Sequence, residues 1–320
     1  MTESGTSQLQ AIPVVSMLRQ ELATGDALLS SIEPILGYLL TDHDHALFSD
    51  EIVSRVRGMS ADLAQQMLSV LAEAMDSSET HAFSEEAVGA LSEALTGDRD
   101  IACHCHALAV ETQLTGRLER RHGIDPVLSP LLQALVASDN DQVASLAMSV
   151  LTTQARFIQR QRRMELVLSD LPANLFHRAV EKFSQFAEGV SAEHAAVAAG
   201  KLRQSYDERA CRPALLERLV NEMGNGSRAA LFVSHAGVAI FLSALASMAK
   251  QPRDTVILST NEQQSARLAL ALLAAGLKHA EVEQQLIYFN PEFALPADFS
   301  MVRADQAASL LAESDRAVRG

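Results

Sequence analysis

Apolar residues recur along most of this chain at the three- and four-residue spacing of helices that bury one face. The spacing predicts helices over 9–22 and 27–40, with Gly25-Asp26 as the break between them. Ser49 or Asp50 can cap the next helix, which Gly58 interrupts and Ser60-Ala61-Asp62 restarts through Met67, Val70, Leu71 and Met75. Ser84 opens another, with Ala87, Val88, Leu91 and Leu95 on one face. Further on, Leu171-Pro172 begins a helix through Leu175, Phe176, Val180, Phe183 and Phe186, which Gly189 ends, and Ser191-Ala192-Glu193 starts the next. Pro213 sits near a helix start, where its missing N–H costs nothing. After Gln251-Pro252-Arg253-Asp254 and a short segment at 255–258, a second alanine-rich helix is predicted over 261–275, stopped by Gly276. Residues 288–300, with Tyr288, Phe289, Phe293, Phe299, Pro291 and Pro296, read as an extended aromatic segment laid across the helices.

One stretch departs from the two-faced pattern. Gly224-Asn225-Gly226 breaks the chain, Ser227 can cap a new helix, and residues 231–249 carry no formal charge. A helix apolar on nearly every side must be surrounded by other helices or by lipid. Ser234, His235, Gly237, Ser243 and Ser247, together with many alanines, give 227–249 too little transfer energy for a membrane span. It is expected to be the buried central helix of an all-helical protein, around which a C-terminal helical subdomain forms.

A recurrence organises the first half. Leu39-Leu40-Thr41 is followed by Asp42-His43-Asp44, Ala94-Leu95-Thr96-Gly97 by Asp98-Arg99-Asp100, and Leu135-Val136-Ala137-Ser138 by Asp139-Asn140-Asp141. Each time an amphipathic helix ends in a short acidic turn that can cap the next one. In the last two copies Leu91, Ala94, Leu95, Ala107, Leu108 and Val110 match Leu131, Ala134, Leu135, Ala147, Met148 and Val150. That offset lies in the range of HEAT and armadillo helix pairs, which bury their faces only by stacking. Residues 132–157, LQALVASDNDQVASLAMSVLTTQARF, resemble an uncharacterised bacterial HEAT-like helical-repeat family, a domain of unknown function. Residues 231–277 resemble it too, through their apolar helix, Pro-Arg-Asp-Thr-Val turn and Ala-Gly-Leu ending. The resemblance would extend over roughly residues 90–290 and implies a HEAT-like or irregular array of helical hairpins, with no catalytic signature. The chain is expected to divide into a repeat region at 1–163, a helical region at 164–287 around the buried helix, and an aromatic segment with a terminal helix at 288–320.

Composition agrees with an all-α fold. The apolar share of 48% is mostly Ala and Leu, Trp is absent, and aromatic residues make up only 4%. A net charge of −14 repels nucleic-acid phosphates and anionic headgroups, so neither is expected as a partner. Three cysteines, an odd number, argue for a reducing cytoplasm. Met1-Thr2-Glu3-Ser4 lacks the basic and apolar regions of a secretory leader.

Few residues invite chemistry. Cys103-His104-Cys105-His106 suits a soft metal, with Cys103 and His106 on one helix face and His43, His45 or His81 as further ligands. Adjacent helical residues diverge, however, so the expectation is a metal-free segment with Cys105 in the core and His104 at the surface. Asp42-His43-Asp44-His45 holds acid–base groups, but its place in the recurrence favours capping. Gly224-Asn225-Gly226-Ser227 lacks the ending of a phosphate-binding loop, and Ser234-His235 lacks a nucleophile elbow, which makes His235 a core or interface histidine. His194, with Lys201 two turns on, lacks any phosphotransfer motif. Against the overall charge, Arg156, Arg160 and Arg163 share one helix face, and with Arg117, Arg120 and Arg121 they could bind an acidic partner. For these arginines a solvated face paired with local carboxylates is the reading preferred over a binding site. The reading is a cytoplasmic interaction or regulatory scaffold without catalysis or cofactor, binding a protein partner through stacked helices and allowing homo-oligomers. A metal-dependent helical enzyme and a phosphotransfer or anion-binding regulator are the alternatives.

Overall fold

The structure, a computed structural model, describes residues 14–31, 50–75 and 85–319, with side chains as far as residue 315. Every regular element among the described residues is helical, as the spacing and composition predict. The chain forms two compact units, each discontinuous in sequence. The first comprises Met1–Ile32, Gln113–Ala147 and Leu219–Gly320; the second comprises Glu33–Thr112 and Met148–Arg218.

The second unit is built on α2 (Asp50–Ala74), α3 (Glu85–Thr96) and α7 (Ala173–Ser205), which pack on one another. Met59, Leu63, Met67 and Leu71 recur at helical spacing on α2 and meet Leu91 and Leu95 of α3 and Phe176, Val180 and Phe183 of α7 in a solvent-free core. Contrary to the predicted interruption, α2 runs straight through Gly58. A Cβ at that position would lie 2.6 Å from the Cβ of Met164 and 2.9 Å from its carbonyl oxygen. The glycine therefore lets a neighbouring backbone approach. Met164 itself, at φ 60°, ends α6 (Asp141–Arg162) in a left-handed cap: its N–H reaches the Gln161 carbonyl, and that of Glu165 reaches the Arg160 carbonyl. Asp62 and Gln66 of α2 take up the polar backbone beyond this cap. Asp62 Oδ2 accepts from the Leu166 N–H at 3.0 Å, while Gln66 donates to the Leu166 carbonyl at 2.8 Å and accepts from the Leu168 N–H at 3.0 Å. The predicted start at Pro172 and the break near Gly189 both appear, the latter at Ser191, whose φ and ψ of −164° and 111° leave the helix.

In the first unit, α9 (Val233–Ala249) packs against α5 (Pro130–Val136), α10 (Arg253–Ser259) and α11 (Ser265–Ala274). Its apolar side chains are buried almost throughout, as the uncharged stretch predicts. The predicted helix over 227–249 is nevertheless shorter: Gly224–Leu231 forms 3-10 turns that meet α9 at 111°. Among the described residues no single helix is long and apolar enough to cross a membrane. Within α9, Gly237 breaks the helical path at φ 72° and ψ 165°, a conformation nearly closed to any residue with a Cβ. Phe241 of α9 stacks on Phe289 at 5.3 Å, and the Val233 N–H donates to Gln285 at 2.9 Å; both partners belong to α12 (His279–Phe289). The expected extended aromatic segment is thus partly helical, since Tyr288 and Phe289 lie inside α12 and residues 297–301 form a 3-10 turn that buries Phe299.

Helix α1 (residues 14–31) is continuous across Gly25-Asp26, where a break was predicted. Gly25 touches Gln264, whose amide donates to its carbonyl at 2.8 Å. Asp26 receives Arg267 of α11 in a buried ion pair. Arg267 also donates to Ser314 of α13 (Ala304–Arg319), and Ser314 donates in turn to Asp26. One guanidinium therefore joins α1, α11 and α13, segments far apart in sequence.

Candidate binding surface

The cysteine–histidine run lies in α4 (Arg99–His122). Asp98 caps this helix, its Oδ1 accepting from the N–H groups of Asp100 at 3.1 Å and Ile101 at 3.3 Å. Asn140 does the same for α6, accepting from Gln142 at 3.0 Å and Val143 at 3.3 Å. The acidic turns of the two described copies therefore work as caps; Asp42-His43-Asp44-His45 falls outside the described residues. The first helices of these copies pack on different neighbours, α3 on α2 and α7, and α5 on α9.

Cys105 lies in the core as expected, but His104 is buried as well, 3% exposed, so its placement at the surface was wrong. The cause is simple: α4 is enclosed through most of its first half, where only Arg99, Asp100 and, partly, Cys103 and Val110 reach solvent. Burial pushes the His106 imidazole down to about 4, which keeps it neutral across the physiological range. Among the described residues no three His, Cys, Asp or Glu side chains converge as a metal site would require, while His43, His45 and His81 lie outside those residues. His235 is exposed rather than in the core, because it precedes the break at Gly237 and leaves the helix face that α9 buries. His194 Nδ1 lies 2.7 Å from Ser191 Oγ and so takes part in the helix restart.

The six arginines separate by electrostatic surroundings. Arg156, Arg160 and Arg163 belong to the second unit and stand among carboxylates. Arg163 forms a two-point pair with Glu165 at 2.7 and 2.8 Å. Burial raises the Asp170 carboxyl above its ordinary range, and the Arg212 N–H with the charges of Arg212, Arg160 and Arg156 opposes that rise. Asp62 is likewise raised by burial and by the charge of Glu165, against the pull of Arg160.

Arg117, Arg120 and Arg121 belong to the first unit, the adjacent Arg120 and Arg121 lying about one helical turn after Arg117 on α4. None makes an ion pair among the described residues, although Arg19, Arg55, Arg178, Arg212, Arg228, Arg267 and Arg303 all do. Arg117 is half-buried, and its Nε finds no hydrogen-bond partner. Burial lowers its pKa, the like charge of Arg121 lowers it further, and Glu262 alone acts in the opposite sense. His122, at the end of α4, meets the ring of Tyr288 edge-on at 4.8 Å. Glu262 also lines a groove of about 400 Å³ between α1 and the start of α11, formed by Met17, Glu21, Thr24, Gln263, Ala266 and Phe293 among others.

Two buried charge networks were not anticipated from the sequence. In the second unit Arg212 donates to both oxygens of Glu111, at 2.6 and 3.3 Å, and to Gln154 at 2.8 Å, and its guanidinium covers the Phe157 ring at 3.7 Å. Arg267 and Asp26 form the other. Arg267 carried a legible signal, being the one charge in the otherwise uncharged α11, whereas nothing in the sequence around Arg212 marks it for burial. With Glu111 at 1% and Arg212 at 3% side-chain exposure, the first network is closed to a ligand and serves packing. No family model matches the chain, and neither curated proteins nor solved structures offer a similar one. No family resemblance is therefore shown for the chain.

Proposed function

We propose that this chain is a non-catalytic helical scaffold of the cytoplasm that binds an acidic protein partner through the end of α4. The observation that carries this reading is the cluster of Arg117, Arg120 and Arg121, which has no ion pair among the described residues on a protein of charge −14. Holding a half-buried guanidinium beside a second one is unfavourable unless an anion arrives, and arginine forks suit carboxylates. Arg156, Arg160 and Arg163 are a weaker choice, because Arg163 is already paired with Glu165, and Asp62 and Asp170 lie within electrostatic range of Arg160. Three reduced cysteines fit a cytoplasmic location, and HEAT-like stacking of the helix pairs belongs to the same proposal.

Capture from a lysate of the source organism tests it, comparing the wild type with Arg120→Glu/Arg121→Glu. Both residues are exposed, so the helical circular dichroism and melting temperature should hold while capture of the partner falls and added salt mimics the loss. An unchanged set of captured proteins would exclude the α4 end as the binding surface.

A further inference from the structure

The first unit carries both signs of unpaired charge on neighbouring elements. Arg120 and Arg121 of α4 are exposed and make no ion pair among the described residues; the same holds for Glu21 of α1 and for Glu262 before α11. The two sets adjoin, because Arg117 lies within electrostatic range of Glu262. Between Glu21 and Glu262 runs the groove, with Met17, 37% exposed, and the half-buried Phe293 as its apolar contribution. A two-fold interface must be self-complementary, since each patch meets itself rotated. A patch with a basic half beside an acidic half meets that requirement, whereas patches of one sign repel. The choice of partner also follows from charge: an acidic partner is required by the proposed function, and at −14 this chain is one.

We propose that a second copy of this chain docks on this face, the α4 arginines of each copy meeting Glu21 and Glu262 of the other around the groove. The inference rests on the reading of the α4 end as a binding surface and names its partner. The charge balance sets register and specificity, and Met17 and Phe293 supply the apolar contact in the groove. Because two copies of charge −14 repel at long range, the contact depends on this one locally neutral face.

Sedimentation velocity on the full chain tests it without any unknown ligand. The wild type is expected to form a dimer at micromolar concentration. Glu21→Arg/Glu262→Arg gives an all-basic face and Arg120→Glu/Arg121→Glu an all-acidic one, so each variant alone should sediment as a monomer. Mixed in equal amounts, the two variants should recover the dimer as a heterodimer. All four positions are exposed, and unchanged helical circular dichroism confirms that the variants fold. A monomeric wild type, variants that dimerise like the wild type, or a mixture that stays monomeric would each overturn the proposal. A wild-type monomer that still captures another protein through Arg120 and Arg121 would overturn the dimer alone and leave the binding surface standing.

Discussion

Replacing Arg212 by methionine tests the physics of the second unit most sharply. The substitution keeps much of the apolar volume over Phe157 but removes the fork that holds Glu111, whose side chain is 1% exposed. Breaking one side of a buried ion pair costs about 3–5 kcal/mol, because the surviving charge stays desolvated. Loss of the cation over the Phe157 ring adds about 1 kcal/mol. The double substitution Glu111→Leu/Arg212→Met removes both charges and should recover most of the loss, since apolar replacement of a buried pair is often neutral or stabilising. Urea titration followed by helical circular dichroism, with hydrogen exchange on α4, α6 and α8 (Arg212–Glu222), reads the effect locally. A single-variant loss below about 1 kcal/mol, or a double variant as unstable as the sum of the singles, would refute a desolvated and mutually dependent pair.

Three other substitutions probe the remaining inferences. Gly58→Ala should destabilise by about 1–2 kcal/mol despite alanine's better helix propensity, because the new methyl would meet Met164 at 2.6 Å; a raised melting temperature would show that the loop yields. Gly237→Ala should cost more, about 2–4 kcal/mol, as it combines φ 72° with a 3.0 Å approach to the Ser129 Cβ, and native-like hydrogen exchange in α9 would argue against a required break. Because His106 folds with a pKa of about 4, against an ordinary 6.5, protonation favours the unfolded chain and stability should fall as pH drops from 6.5 towards 4, by about 3 kcal/mol. His106→Gln should flatten that slope, and an NMR titration placing His106 near 6.5 would contradict its burial.

The sequence by itself determined what depends on local chemistry. Helical periodicity and a composition led by Ala and Leu with few aromatic residues pointed to the class; Pro172, Pro213 and Gly276 marked helix ends; Asp98 and Asn140 announced caps; and the uncharged 233–249 segment declared its own burial. Tertiary structure decided what a glycine or a charge means. Gly25 and Gly58 look like breaks yet stay helical, since each admits a neighbour that only the fold supplies, Gln264 in one case and Met164 in the other. Gly237 looks like a small residue in an apolar helix yet is the place where the backbone turns, packed against Ser129. The same division separates the arginines. Helical spacing put Arg156, Arg160 and Arg163 on one face, but only the fold brought Asp62 and Asp170 near them and left Arg117, Arg120 and Arg121 without an ion pair among the described residues. Spacing along a helix is a property of a few consecutive residues, whereas desolvation and charge pairing depend on groups a hundred or more residues away, as with Glu111 and Arg212 or Asp26 and Arg267. That is why the helices could be read from the sequence and the roles of these charges could not.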